Sequence, residues 1–172
     1  MRVTTAGRYA LRAMLDLALN GQTGPVLRQE ITTRQEISSE YIAQLFRPLV
    51  KAGLVRAVMG PGGGYQLTCP PQEIKVGDIL RAVEGPFAAV ACVLQTQPGV
   101  EGCPRVEGCA ARILWQRLTH VIEEYLDSVT LWDICELARQ LQEQPFAQCE
   151  DAVTRLVTPL PDLPACPGEY SI

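Results

Sequence analysis

The run Gly60-Pro61-Gly62-Gly63-Gly64 restricts this chain more than any other feature. It lies between Leu54-Val55-Arg56-Ala57-Val58-Met59 and Tyr65-Gln66-Leu67-Thr68. Two short apolar segments joined by glycines read as strand, turn and strand, a β-hairpin whose turn is longer than the minimal two residues. Glycines at 60, 62, 63 and 64 permit positive φ and let the backbone come close to a phosphate or a groove floor. A phosphate-binding P-loop would need Lys-Ser/Thr and a helix after the last glycine, whereas Tyr65-Gln66 follows here. A flexible hairpin tip is the plainer alternative.

Three helical segments precede the hairpin. Tyr9, Ala10, Ala13, Met14, Leu17 and Ala18 share one helix face, and Asn20-Gly21 ends it. A second short helix is expected over Gln29 to Arg34 with Ile31 inward, although Leu27 and Arg28 stand where a capping side chain is preferred. In the third, Ser38 or Ser39 can cap, Ile42, Leu45, Phe46, Leu49 and Val50 form the apolar stripe, and Gly53 sits where a C′ glycine belongs. Pro48 removes the hydrogen bond to the Gln44 carbonyl, which predicts a bend or a split there.

Three short helices and a hairpin, in that order, make a winged helix-turn-helix, whose third helix enters the DNA major groove. Its polar face carries Glu40, Tyr41, Gln44, Arg47 and Lys51. Gln44 can pair with adenine, and Arg47 and Lys51 with guanine or phosphate. Ser38, Ser39 and Tyr41 lie near the helix N-terminus, where phosphate is favoured. Arg2, Arg28, Arg56, Gly60 and Gly62 complete the expected DNA-binding set. An ordinary solvated helix face is the alternative reading of this polar stripe.

Charge supports the DNA reading once it is divided along the chain. The 172 residues carry a net charge of -4, yet residues 1–59 hold eight basic and four acidic side chains. The remaining residues hold seven basic and fifteen acidic ones, so a basic head joins an acidic body. Hydrophobic content of 47% with 20% charge indicates a globular chain, and no uncharged apolar run approaches a membrane span. Arg2, Arg8 and Arg12 interrupt the start, so no secretory signal is read there and a cytoplasmic protein is expected. Seven cysteines without an export signal point to a metal, to redox chemistry or to burial. A single histidine and no Ser/His/Asp or paired-carboxylate arrangement argue against an enzyme.

Beyond the hairpin, Ile74 to Glu84 reads as a short helix. Residues 85–109 contain Pro86, Pro98, Gly99, Gly102, Pro104, Gly108 and three cysteines without periodicity, and long loops of this kind are usually functional or disordered. Ile113, Leu114, Leu118, Val121, Ile122, Tyr125, Leu126 and Val129 mark a long amphipathic helix, and Thr130 with Asp133 forms a capping-box-like start for a last one. After Gln144 five prolines suggest a loosely ordered tail. The expected organisation is a winged helix-turn-helix domain over 1–84, a cysteine-containing cofactor loop over 85–111, a dimerisation helix and following helix over 112–143, and a proline-containing tail over 144–172. The fold class is mainly α with a small β-hairpin.

The stretches GRYALRAMLDLALN (7–20), ISSEYIAQLFRPLVKAGLV (37–55), GPGGGY (60–65), VGDILRAVEGP (76–86) and SVTLWDI (128–134) resemble the bacterial IscR/NsrR/CymR-type winged-helix regulators. The resemblance covers residues 1–135. It implies a homodimer whose long helix, near residues 112–127, packs against its mate. It also implies a repressor on double-stranded DNA, at a partly palindromic operator, with a cofactor controlling occupancy. The cluster-binding members place three cysteines where Cys92, Cys103 and Cys109 stand, which implies an iron–sulfur cluster, either 2Fe–2S or 4Fe–4S, held by thiolates. Cys69, Cys135, Cys149 and Cys166 fall outside that pattern and read as buried or incidental.

This chain departs from the family at several positions. The relatives' fourth ligand is a His three residues after the last cysteine or an acidic residue near position 8; here those positions hold Arg112 and Arg8. His120 lies about 12 Å further along the helix from Arg112. Cys149, Cys166, an acidic residue, a small thiol or water remain as candidates. Met59 replaces an arginine that relatives use in the minor groove, with Arg56 as a partial substitute, and Ala43 replaces a recognition-helix glutamate. Two other readings keep the DNA-binding head: the cysteines as a thiol/disulfide switch or zinc site, or control by docking a metabolic enzyme, as in some cysteine-free relatives.

Overall fold

The computed structural model describes residues 3–94 and 108–143. Arg2, Cys103 and the tail with Cys149 and Cys166 lie outside the described residues. Helix α1 (Thr5–Asn20) is the element on which the others assemble. Its stripe of Ala10, Ala13, Met14 and Leu17 is buried, and the Thr4 hydroxyl accepts a hydrogen bond from the Gly7 N–H at 3.3 Å. Helix α2 (Arg28–Gln35) has no side-chain cap, as Leu27 foretells, and is held by one fully buried residue, Ile31. Glu36 ends α2 in the left-handed region, at φ 56°.

Helix α3 (Ser39–Lys51) is capped by Ser38, whose hydroxyl accepts from the Tyr41 N–H. Gly53 N–H donates to Val50 and Leu54 N–H to Leu49, so α3 ends in a Schellman motif with Gly53 at φ 76°. Pro48 does not split α3, one of the two outcomes expected from the sequence: the helix is continuous, and the Pro48 carbonyl still accepts from Ala52 at 2.8 Å. The freed carbonyl belongs to Gln44, which is exposed, so water can replace the lost donor. On the opposite side Ile42, Leu45, Phe46 and Leu49 are buried and hold the helix against the core.

Strands β1 (Val55–Val58) and β2 (Gly64–Leu67) pair antiparallel, with Val55 opposite Leu67 and Val58 opposite Gly64. Val26, between α1 and α2, adds a bridge to Tyr65 through two backbone hydrogen bonds of 2.9 Å. Helix α4 (Val76–Glu84) follows, then a 3₁₀ turn (Ala91–Val93), α5 (Ala110–Ser128) and α6 (Leu131–Glu143). Helix α5 begins at Ala110, two residues before the expected boundary, so Cys109 is its N-cap. Thr130 and Asp133 exchange backbone and side-chain hydrogen bonds, which is the reciprocal box read from the sequence. Phe46, Met14, Leu17, Ile74, Ile79 and Leu131 are the large residues of one core that joins α1, α3, α4 and α6. Each such side chain contributes about 1.5–3 kcal/mol by leaving water.

Two helices carry an interior glycine where a neighbouring carboxylate needs room. A Cβ on Gly77 of α4 would overlap the Asp127 carboxylate of α5, and one on Gly7 of α1 would overlap the Glu84 carboxylate of α4. Glu84 accepts from the Thr4 N–H at 2.9 Å and its hydroxyl at 3.0 Å, placing negative charge at the α1 N-terminus. Gly7→Ala is therefore expected to displace Glu84 and destabilise the fold by about 1–2 kcal/mol, as loss of a cap does. In a Glu84→Ala background the same change should turn neutral or stabilising, because alanine is the better helix former. Thermal unfolding of the four proteins checks this, and equal losses in both backgrounds would refute it.

Candidate nucleic-acid interface and cysteine loop

Because α3 spends its apolar stripe on the core, its other face is left to solvent. Gln44, Arg47 and Lys51 are exposed along that face, with Ser38 exposed and Ser39 half-buried at its start. Tyr41 is half-buried instead: its ring meets Tyr9 of α1 edge-on, 6.0 Å between centroids and 85° between planes. The ring thereby braces the start of α3 against α1. Arg28 is exposed at the start of α2, and Arg56 on the exposed side of β1 donates to Gln66 across the hairpin at 2.9 and 3.3 Å. Met59 stands at the tip, 91% exposed.

Of the four glycines that could take up positive φ or a close approach, Gly60 (100°) and Gly62 (74°) use positive φ. Gly63 and Gly64 serve close approach: a Cβ at Gly63 would strike the Val58 carbonyl, and one at Gly64 the Val26 carbonyl. On the buried side, Phe46 of α3 stacks on Tyr65 of β2 with centroids 4.1 Å apart and planes 15° apart. The cationic helix and the wing are thus packed directly on one another. A protruding helix and a wing, both with arginine outward, can engage a groove and the flanking phosphates of duplex DNA.

The sequence reading missed Val26 as a partner of the wing and Asp16 as a buried group. Asp16 was visible in principle, because it is a carboxylate on the apolar face of α1, beside Ala13 and Leu17, and buried charges have partners.

Cys92 sits half-buried in the 3₁₀ turn, and Cys109 is half-buried at the α5 N-cap. Arg112 Nε donates to the Cys92 carbonyl at 3.4 Å, which draws that turn onto the first turn of α5. The Ala89 N–H, just ahead of that turn, donates to the buried Thr119 hydroxyl in the middle of α5 at 3.1 Å. Among the described residues no three His, Cys, Asp or Glu side chains converge as a metal site. Arg8 is exposed and bonded to Thr5, and His120 pairs with Glu124 at 3.1 Å. Ile113 and Leu114 of α5 are 70% and 61% exposed, and Leu118 and Tyr125 continue that apolar face. Cys135 is buried among apolar residues, and burial pushes its thiol pKa up, with Arg139 opposing and Glu136 adding to the rise. No helix among the described residues is long and apolar enough to cross a membrane.

This is the geometry of a winged helix-turn-helix DNA-binding protein. The chain belongs to the Rrf2 family: residues 3–137 match the family model described as "Iron-dependent Transcriptional regulator". It is similar to the HTH-type transcriptional regulator IscR of Aliivibrio salmonicida, 45% identical over 78% of this chain and 77% of that one. IscR of Pectobacterium carotovorum is 45% identical over 90% of both. Among solved structures, IscR of T. potens superposes with a TM-score of 0.66 at 36% identity over 86% of this chain and 96% of that one. CymR, the global cysteine regulator of B. subtilis, gives 0.64 at 36% identity over 80% and 98%. The protein is therefore a DNA-binding transcriptional regulator of the Rrf2/IscR type, from a family whose members are named as regulators and not as enzymes.

Gly64→Ala should break the Val26–Tyr65 bridge by driving a methyl group into the Val26 carbonyl. The measurement is native-state amide exchange. Faster exchange at both the Val26 and Tyr65 N–H groups is expected, and unchanged protection there would show that the close approach is dispensable.

Proposed function

We propose that the protein is a homodimeric repressor whose operator binding is set by an iron–sulfur cluster on Cys92, Cys103 and Cys109. The observation that carries this reading is the anchoring of the Cys92 turn on the first turn of α5 through Arg112, with Cys109 as the α5 N-cap. Two of the three cysteines are thereby brought to one helix end through their backbone, and Cys103 belongs to the connecting segment. Thiolates are the donors such clusters require. The Arg112 guanidinium and the α5 N-terminus, which has no side-chain cap, supply positive charge suited to an anionic group. A bound cluster would supply a group whose charge and presence follow redox state and iron supply. The arginines at 8 and 112 cannot ligate, so the fourth position falls to Cys149, Cys166, an acidic residue, a small thiol or water.

The exposed apolar face of α5, with Ile113, Leu114, Leu118 and Tyr125, supports dimerisation through that helix. A route from α5 to the DNA-binding head runs through α4. Arg81 of α4 grips Asp127 of α5 at 2.6 and 3.2 Å, and Glu84, three residues on in the same last turn of α4, accepts from Thr4 at the α1 N-terminus. Hydrogen bonds to Asp127, and then to Asp78, hold the Arg81 guanidinium above its ordinary basicity. DNA contacts are assigned to Arg2, Arg28, Ser38, Ser39, Tyr41, Gln44, Arg47, Lys51, Arg56, Gly60 and Gly62, and a dimer would present two such heads to a partly palindromic operator.

Anaerobic purification followed by absorbance, iron and sulfide analysis tests the cluster. A coloured protein containing both elements is expected, with loss of both on Cys92→Ala, Cys103→Ala or Cys109→Ala. A colourless, iron-free protein with normal operator binding would overturn it, and zinc, a disulfide or a co-purifying metabolic enzyme would replace it with the corresponding alternative. Leu114→Glu should yield a monomer in sedimentation velocity. Arg47→Ala should weaken operator binding by about 1–3 kcal/mol, and Lys51→Ala should lower the salt dependence by about one counterion.

A further inference from the structure

Asp16 is 2% exposed, in the middle of α1, and three donors from α2 converge on its carboxylate. Arg34 Nε reaches one oxygen at 2.9 Å and Arg34 Nη2 the other at 2.7 Å, while Gln35 Nε2 reaches the first at 3.0 Å. Arg34 and Gln35 are the last two residues of α2. Gln35 is gripped a second time from α1, since Arg12 donates to its side-chain oxygen at 3.1 Å and to its backbone carbonyl at 2.9 Å. The Arg12 guanidinium also lies 5.4 Å over the Tyr9 ring, and Tyr9 meets Tyr41 in the first turn of α3. One face of α1 therefore holds both sides of the α2–α3 turn.

That turn contains Glu36, the one non-glycine residue with positive φ among the described residues. Side chains resist this conformation, and it persists where the surroundings over-determine it. A bidentate ion pair, here between the buried Asp16 carboxylate and the part-exposed Arg34, is directional, which an apolar contact is not. It is also a poor device for stability alone, because a well-packed apolar pair in its place is often as stable or more so. What directional bonds add here is a defined angle between α1 and the end of α2, hence a defined origin for α3.

We infer that Asp16 is a positioning residue for DNA reading: through Arg34 and Gln35 it sets the pose of the α2–α3 turn, and so the register of Gln44 and Arg47 on the bases. It does this from the core, without contacting DNA. The inference rests on α3 being the helix that reads DNA, and Arg47→Ala tests that separately, since intact discrimination in that variant would remove the premise.

The experiment compares two duplexes of equal length for the full chain: one selected by the wild-type protein from a random-sequence pool, and one unrelated. Affinities are measured well below the melting temperature of each variant. Asp16→Asn presents an amide donor to three donors, and is expected to bind the selected duplex about tenfold more weakly, the size of one lost base contact. Binding to the unrelated duplex, which rests on phosphate charge, should stay within about twofold. The paired change Asp16→Leu with Arg34→Met should recover melting temperature without recovering discrimination, a split that a purely structural role does not produce. Gln35→Ala keeps the ion pair but removes two side-chain hydrogen bonds, one to Asp16 and one from Arg12, and should lower discrimination by at least about fivefold; it carries the test if Asp16→Asn does not fold. Wild-type discrimination in the stable apolar pair, or equal losses on both duplexes in Gln35→Ala, would overturn the assignment.

Discussion

The stacked rings of Phe46 and Tyr65 join α3 to the wing, and the remaining architecture keeps that junction in place. Phe46 is completely buried, so its ring contributes the burial of a large apolar surface, and an aromatic pair of this kind adds about 0.5–1.5 kcal/mol beyond burial. Tyr65 is held from a third side by the Val26 bridge, which is tight enough that only glycine fits at position 64. A polar helix face cannot orient itself. The apolar stripe behind it fixes which way Gln44 and Arg47 point, and the wing moves with them.

Besides apolar packing such as Leu126 against Val76 and Leu80, polar contacts connect this head to the long helix. Arg81–Asp127 ties α4 to α5, Glu84–Thr4 ties α4 to α1, and Asp16–Arg34 ties α1 to α2. Arg81 and Asp127 are each about one-third exposed, so solvent screening leaves such a pair little net stabilising energy. Their value lies in geometry. Each restricts the angle between two helices, and the glycines at 7 and 77 show that the helices make room for these carboxylates at some cost in helix propensity.

Much of the fold was legible because its determinants are local. The stripe of Ile42, Leu45, Phe46 and Leu49, the capping serine at 38, the Schellman glycine at 53 and the Thr130–Asp133 box all act within a few residues of themselves. The polar face of α3 followed from the stripe by subtraction. Family resemblance added the proposal that Cys92, Cys103 and Cys109 are ligands, which spacing alone could not assign. Pro48 shows the limit of local rules: its missing hydrogen bond would break an isolated helix, and here the buried side of α3 outweighs it. Gly63 and Gly64 show another, because their reason for being glycine is a carbonyl from elsewhere in the fold.

The amino-acid sequence by itself determined the order of helices, the hairpin and its glycine turn, the basic head and the family, since periodicity, capping and composition are properties of neighbouring residues. Only the tertiary structure decided that Tyr41 braces against Tyr9, that Val26 extends the wing and that Arg112 bonds to the Cys92 turn. Only there does Asp16, an acid on an apolar stripe, acquire Arg34 and Gln35 as partners. These pairings join residues distant in sequence, and a long-range hydrogen bond leaves no periodic trace. The GPGGGY turn stands on both sides: its composition announced a hairpin, but which glycines turn the chain and which admit a neighbour was settled by packing.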